Sequence, residues 1–112
     1  MDDAEKLQTI FQTLGDARRL RIIKFIGEQE CSVSEIVRAF ELSQPLVSHH
    51  LKLLRDMSVL ETRRNGPFVF YRLKDTRILE ALGIFLELST SINNEPLDTP
   101  MFRSPSWWRG HC

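Results

Sequence analysis

Apolar residues recur at a helical period along most of the chain. Leu7, Ile10, Phe11 and Leu14 form an i, i+3, i+4, i+7 stripe, which predicts an amphipathic helix over residues 2–14. Gly15 ends that helix, and Asp16 is placed to cap a second one through Arg19, Leu20, Ile22, Ile23 and Ile26, closed by Gly27. Ser32-Val33-Ser34-Glu35 reads as a capping box: the Ser32 hydroxyl accepts from the Glu35 amide while the Glu35 carboxylate reaches back. The short third helix it starts turns Ile36, Val37 and Phe40 inward. Ser43 caps a fourth, with Pro45 in its first turn, where a missing N–H costs nothing.

From Val59 the period changes to two. Residues 59–64 and 67–73, rich in Val, Thr, Phe and Tyr, flank Asn65-Gly66, which predicts a hairpin closed by a type I′ turn on those two residues. Asp75 caps a last helix to about Ser91, with Ile78, Leu79, Leu82, Phe85 and Leu86 on one side. Residues 92–112 contain Pro96, Pro100 and Pro105 and read as an extended tail. The expected fold is mainly α with a two-stranded β wing: a winged helix-turn-helix in which the third and fourth helices are the motif. It divides the chain into a domain over 1–91 and a tail over 92–112.

Composition narrows the function classes. A domain of 112 residues buries only about two-thirds of its unfolded surface, so pairing with a second copy would help it. The start, MDDAEKLQ, lacks the basic and apolar regions of a secretory signal, and Ile78–Leu88 is too short and too charged to span a bilayer. Two cysteines make no disulfide framework, so a reducing cytoplasm is the expected setting. No nucleotide loop, CxxC or HExxH is present, and no enzyme is expected. With 15 basic against 15 acidic residues, the chain as a whole is no basic nucleic-acid binder. Its charge is nevertheless uneven. Residues 16–74 hold 11 Lys and Arg against 7 Asp and Glu, whereas both ends are acidic.

Projected at 100° per residue, the fourth helix gathers Val47, Leu51 and Leu54 on one side, with Leu46 and His50 flanking. Gln44, Pro45, Ser48, His49 and Lys52 fall opposite. Gln44, Ser48 and His49 suit base edges, whereas Lys52 and Arg55 suit phosphates. A merely solvated face usually carries Glu and Lys pairs, and this one has no Glu. His50, at the edge of the core, is expected to be a satisfied structural histidine. Arg63 and Arg64 precede the wing tip, where a guanidinium can reach a minor groove or a phosphate.

The runs LGDARRLRII (14–23), SVSEI (32–36), LSQPLVSHHLKLLRDMSVL (42–60) and TRRNGPFVFYRL (62–73) resemble the ArsR/SmtB winged-helix repressors over about residues 7–88. The resemblance implies a homodimer joined through residues 2–14 and 75–91 and bound to a double-stranded DNA operator. It places recognition contacts at Ser43, Gln44, Ser48 and His49 and wing contacts at Arg63 and Arg64. Ser58 stands where that family usually has a helix-ending glycine, and Pro67 where it usually has a basic residue.

The family's sensor positions differ too. Its thiol motif reads Ser32-Val33-Ser34 here, and hydroxyls are poor ligands for soft metals or As(III). Its last-helix zinc pattern reads Asp75-Thr76-Arg77, with arginine where a histidine should ligate. No standard family metal site is intact, so the cofactor is unknown. Cys31, His111 and Cys112 remain as a candidate sensor, either as a redox or persulfide pair of cysteines or as a thiolate and imidazole metal site. The bland alternative is a buried Cys31 and a frayed terminal thiol. Trp107 and Trp108 are expected to anchor the tail on an apolar groove. The expected function is an operator-binding repressor released by a ligand or a thiol-based signal. The alternative is a winged-helix protein-interaction module that has lost its sensor.

Overall fold

The computed structural model describes residues 1–93. Their elements run α1 (Asp3–Leu14), α2 (Ala17–Ile26), β1 (Glu30–Ser32), α3 (Val33–Phe40), α4 (Gln44–Asp56), β2 (Leu60–Asn65), β3 (Phe68–Leu73) and α5 (Arg77–Asn93). The capping residues act as their chemistry predicts. Asp2 accepts from the Glu5 amide at 2.8 Å, Asp16 from Arg18 at 2.8 Å, Ser32 from Glu35 at 3.2 Å and Ser43 from Leu46 at 3.3 Å. Asp75 accepts from the Arg77 amide at 3.0 Å where α5 begins. Gly27 closes α2 at φ 56°, ψ −129°, a conformation that a side chain would strain.

The core lies where α2, α3 and α4 meet the sheet. Ile22, Ile23, Ile26, Ile36, Val47, Leu51 and Leu54 are fully enclosed, and Leu14, Leu60 and Leu73 nearly so. At about 1.5–3 kcal/mol for each large aliphatic side chain removed from water, this cluster dominates the folding energy. α1 and α5 are different. Of the α1 stripe only Leu14 is buried, and on α5 Ile78, Leu79 and Leu82 only flank the core. Phe85, placed by periodicity on the same side as these, is 51% exposed, edge-on to Phe11 at 5.6 Å between ring centroids. No described helix is long and apolar enough to cross a membrane.

The sheet departs from expectation in two ways. It has three strands, in the order β1-β3-β2, because Glu30–Ser32 joins β3 antiparallel with Cys31 opposite Tyr71. The hairpin turn also sits one residue later than predicted. The last rung pairs Asn65 with Phe68, leaving Gly66 and Pro67 as the central residues. A turn on Asn65-Gly66 would have asked Pro67 to donate an N–H that it lacks. Gly66 takes φ 62° while the proline ring holds φ negative, the sign pattern of a type II′ turn.

Candidate nucleic-acid interface

α3 and α4 are joined by Glu41, Leu42 and Ser43, a turn of helix-turn-helix length. The corner is made by Glu41, which caps α3 in the left-handed conformation (φ 55°, ψ 33°) and donates its N–H to the Val37 carbonyl at 2.9 Å. With Val47, Leu51 and Leu54 locked in the core, the rotation of α4 about its own axis is set. Gln44, Pro45, Ser48, His49, Lys52 and Arg55 are consequently all exposed, on the side opposite the buried stripe. No acidic residue occupies the first turn of α4, so its positive end is not neutralised. Arg55 makes only a loose pair with Asp56, at 3.9 Å.

His50 corrects one expectation. It is buried, at 2% exposed, but it is not satisfied: neither ring nitrogen has a hydrogen-bond partner. The helical register turns it to the same buried side of α4 as Val47, Leu51 and Leu54. Burial depresses its pKa below the ordinary value, Asp16 opposes that effect, and Arg18, Arg19 and His49 add to it. Burial thus favours the neutral form of the imidazole. Its ring lies 5.6 Å from that of His49, centroid to centroid.

The two wing arginines occupy opposite faces of the sheet, as neighbours on a strand must. Arg63 is already engaged. Its Nε lies 3.0 and 3.1 Å from the Glu30 carboxylate oxygens, its Nη2 reaches the same group, and its guanidinium covers the Phe70 ring at 5.1 Å. The Arg63 hydrogen bond holds the Glu30 carboxyl below its usual range. Arg64 makes no ion pair among the described residues and is exposed. Beyond it, at the tip, Phe68 is 61% exposed. Sequence reasoning passed over Phe68, although strand alternation next to Pro67 could have marked it as outward.

The sensor candidates are only partly described. Cys31 is fully buried on the core side of β1, and its sulfur is not a free thiol. His111, Cys112 and the Trp107-Trp108 pair lie outside the described residues. Ser32 is occupied in capping α3, and Ser34 is exposed. The Asp75 carboxylate is clamped by the Arg77 guanidinium at 2.6–3.1 Å, which pulls its pKa down to about 2. Among the described residues no three His, Cys, Asp or Glu side chains gather as a metal would require.

Residues 16–62, from the α2 cap into the wing, match the family model described as bacterial regulatory protein, arsR family. An uncharacterized HTH-type transcriptional regulator of Methanocaldococcus jannaschii, MJ1325, is 34% identical over 89 residues, covering 79% of this chain and all of that protein. Among solved structures, reduced HlyU from Vibrio cholerae is 30% identical with a TM-score of 0.68, covering 77% of this chain and 90% of that one. The transcriptional repressor BigR from Xylella fastidiosa is 29% identical with a TM-score of 0.67, covering 76% and 87%.

Proposed function

The chain belongs to the arsR family of bacterial regulatory proteins, and from that premise we propose how this DNA-binding transcriptional regulator meets its operator and is released from it. It is a winged helix-turn-helix repressor by family. Family and relatives are regulators rather than enzymes. In our reading it acts in the cytoplasm as a homodimer. α1 and α5 bring their half-exposed Leu7, Phe11, Phe85 and Leu88 together, so that residues 1–91 form the DNA-binding and dimerisation domain and 92–112 a tail available for sensing.

One observation carries the DNA reading: the side of α4 away from the core is exposed along its length and carries hydrogen-bonding and basic groups without a carboxylate until Asp56. In the major groove, Gln44, Ser48 and His49 meet base edges. Ser43, Pro45, Lys52 and Arg55 lie against the backbone and set the register. Arg64 is the wing's contact, and Arg63 contributes only if it leaves Glu30. The test is selection from a random duplex library, followed by anisotropy on the selected and scrambled duplexes. His49→Ala should cost about 1–3 kcal/mol on the selected duplex and relax preference at one base position. Equal affinity of the wild type for both duplexes would refute specific repression.

The release signal in this reading is thiol-based, through Cys31 and Cys112. Cys31 immediately precedes the Ser32 cap, so a change at its sulfur is transmitted to α3 and through the Glu41 corner to α4. The Cys31 sulfur is not a free thiol in this structure; in the reduced protein, a two-electron oxidant such as peroxide takes both thiol protons and leaves a disulfide and water. A Cys31, His111 and Cys112 metal site is the other outcome of the same test. The DNA complex is titrated with peroxide, polysulfide, Zn(II) and As(III), in wild type and Cys112→Ser. Release by none of the four would remove the sensor assignment.

A further inference from the structure

The wing's charge is lower than its sequence suggests. Of the two arginines before the tip, Arg63 is held by Glu30 and stacked on Phe70, whereas Arg64 makes no ion pair among the described residues. What the tip presents instead is apolar. Pro67 is exposed at the turn and Phe68 beside it is 61% exposed, while the hairpin's other aromatics, Phe70 and Tyr71, are partly covered.

We propose that Pro67 and Phe68 form an apolar wedge at the wing tip that enters the DNA minor groove, with Arg64 on the other face of the hairpin, so that the protein reads how readily the flanking base step unstacks. The inference rests on the DNA-binding reading above and adds to it a second, indirect mode of recognition.

Three physical points converge on DNA as the occupant. The first is reach. At about 3.3 Å per residue, the five steps from Leu60 to Asn65 carry the tip about 16 Å from the body, close to the half-turn of about 17 Å between a major groove and the next minor groove. The second is chemistry. Proline and phenylalanine are side chains that part base steps from the minor-groove side, and a neighbouring guanidinium is drawn to that groove's negative potential. The third is continuity, because β2 leaves directly from the end of the recognition helix through Met57–Val59. A wing that binds by insertion also suits a chain with no net charge, since insertion draws little on phosphate attraction.

The test uses the full chain and a duplex recovered by selection from a random library, with 2-aminopurine placed at successive steps flanking the major-groove site. Wild type should brighten the probe at one step by unstacking it. Phe68→Ala should abolish that signal and weaken binding about tenfold or more, without changing the slope of log K against log salt. Phe68→Leu, which keeps apolar bulk, should retain most of both. Arg64→Ala should instead flatten the slope by about one. Phe68 is largely outside the fold, so thermal unfolding of the alanine variant should match wild type. If the library yields no enriched duplex, DNA binding itself fails and the wedge with it. Unchanged Phe68→Ala affinity on a duplex the wild type binds overturns the wedge alone. So does a loss confined to self-association in sedimentation, which would place Phe68 in a protein contact.

Discussion

α4 and the α1/α5 pair carry similar hydrophobic stripes but complete them differently. On α4, Val47, Leu51 and Leu54 are sealed by α2, α3 and the sheet of the same chain. On α1 and α5, Phe11 is 47% and Phe85 51% exposed, and the two rings meet only edge-on. The difference separates a face that the chain closes itself from one that it leaves exposed, which in the proposed dimer a second copy would cover. Periodicity shows which side of a helix is apolar, and only the fold shows what covers it.

The largest test removes a side chain from the sealed face. Leu51→Ala should lower stability by about 2–5 kcal/mol, because the enclosed site cannot collapse onto the lost atoms. In denaturant titrations, its loss relative to wild type should be the same at every protein concentration. A concentration-dependent loss would mean that α4, too, is completed by a partner.

Phe85→Ala should behave in the opposite way. Truncating a central aromatic at an interface weakens it by about 2 kcal/mol, roughly thirtyfold in dimer dissociation. Sedimentation should show that loss, with little change in the unfolding of the dilute chain. If dilute stability falls instead, Phe85 belongs to the monomer core and the contrast disappears.

What could be read in advance followed the same division. The helices and their caps depend on contacts within about four residues, so Asp16, Ser32, Ser43 and Asp75 are legible as they stand. β1 was not legible: three residues carry no alternation, and the strand exists through pairing with residues some 40 positions later. The Arg63–Glu30 pair, 33 residues apart, was hidden for the same reason, so an engaged arginine looked like an available one. The turn shift was legible in principle, since Pro67 cannot donate. Which side of α4 is exposed was legible because one helix contains all of the residues concerned, and the tail candidates His111 and Cys112 lie outside the described residues.

Smaller changes probe how well the sealed region is closed. Ser58, after α4, sits at φ 61°, where a side chain is crowded and glycine is not. Ser58→Gly should therefore raise stability by about 1 kcal/mol in thermal unfolding. A decrease would mean that its hydroxyl contributes more than the backbone strain costs.

His50 gives the sealed face a pH limit. Its folded pKa is depressed, so the unfolded chain binds the proton more readily. The stability it confers is present above its ordinary value of about 6.5 and is lost as pH falls through the folded value. His50→Gln, which cannot titrate, should flatten that part of the stability profile. A profile unchanged by the substitution would show that His50 is not the titrating group.

The smallest expected effect concerns a face that is closed by charge rather than by packing. On the outer side of the wing, Glu30 holds Arg63 and Glu61 holds Arg72 at 2.6 Å, all four in contact with solvent. Exposed pairs of this kind contribute about 0–1 kcal/mol, so Glu30→Gln should barely alter unfolding. Its effect belongs to DNA. Freed of its carboxylate, the Arg63 guanidinium becomes available to a phosphate, and the slope of log K against log salt should steepen by about one. An unchanged slope would mean that Phe70 alone keeps Arg63 against the sheet. A loss of stability well beyond 1 kcal/mol would mean that β1 depends on this pair to remain in register with β3.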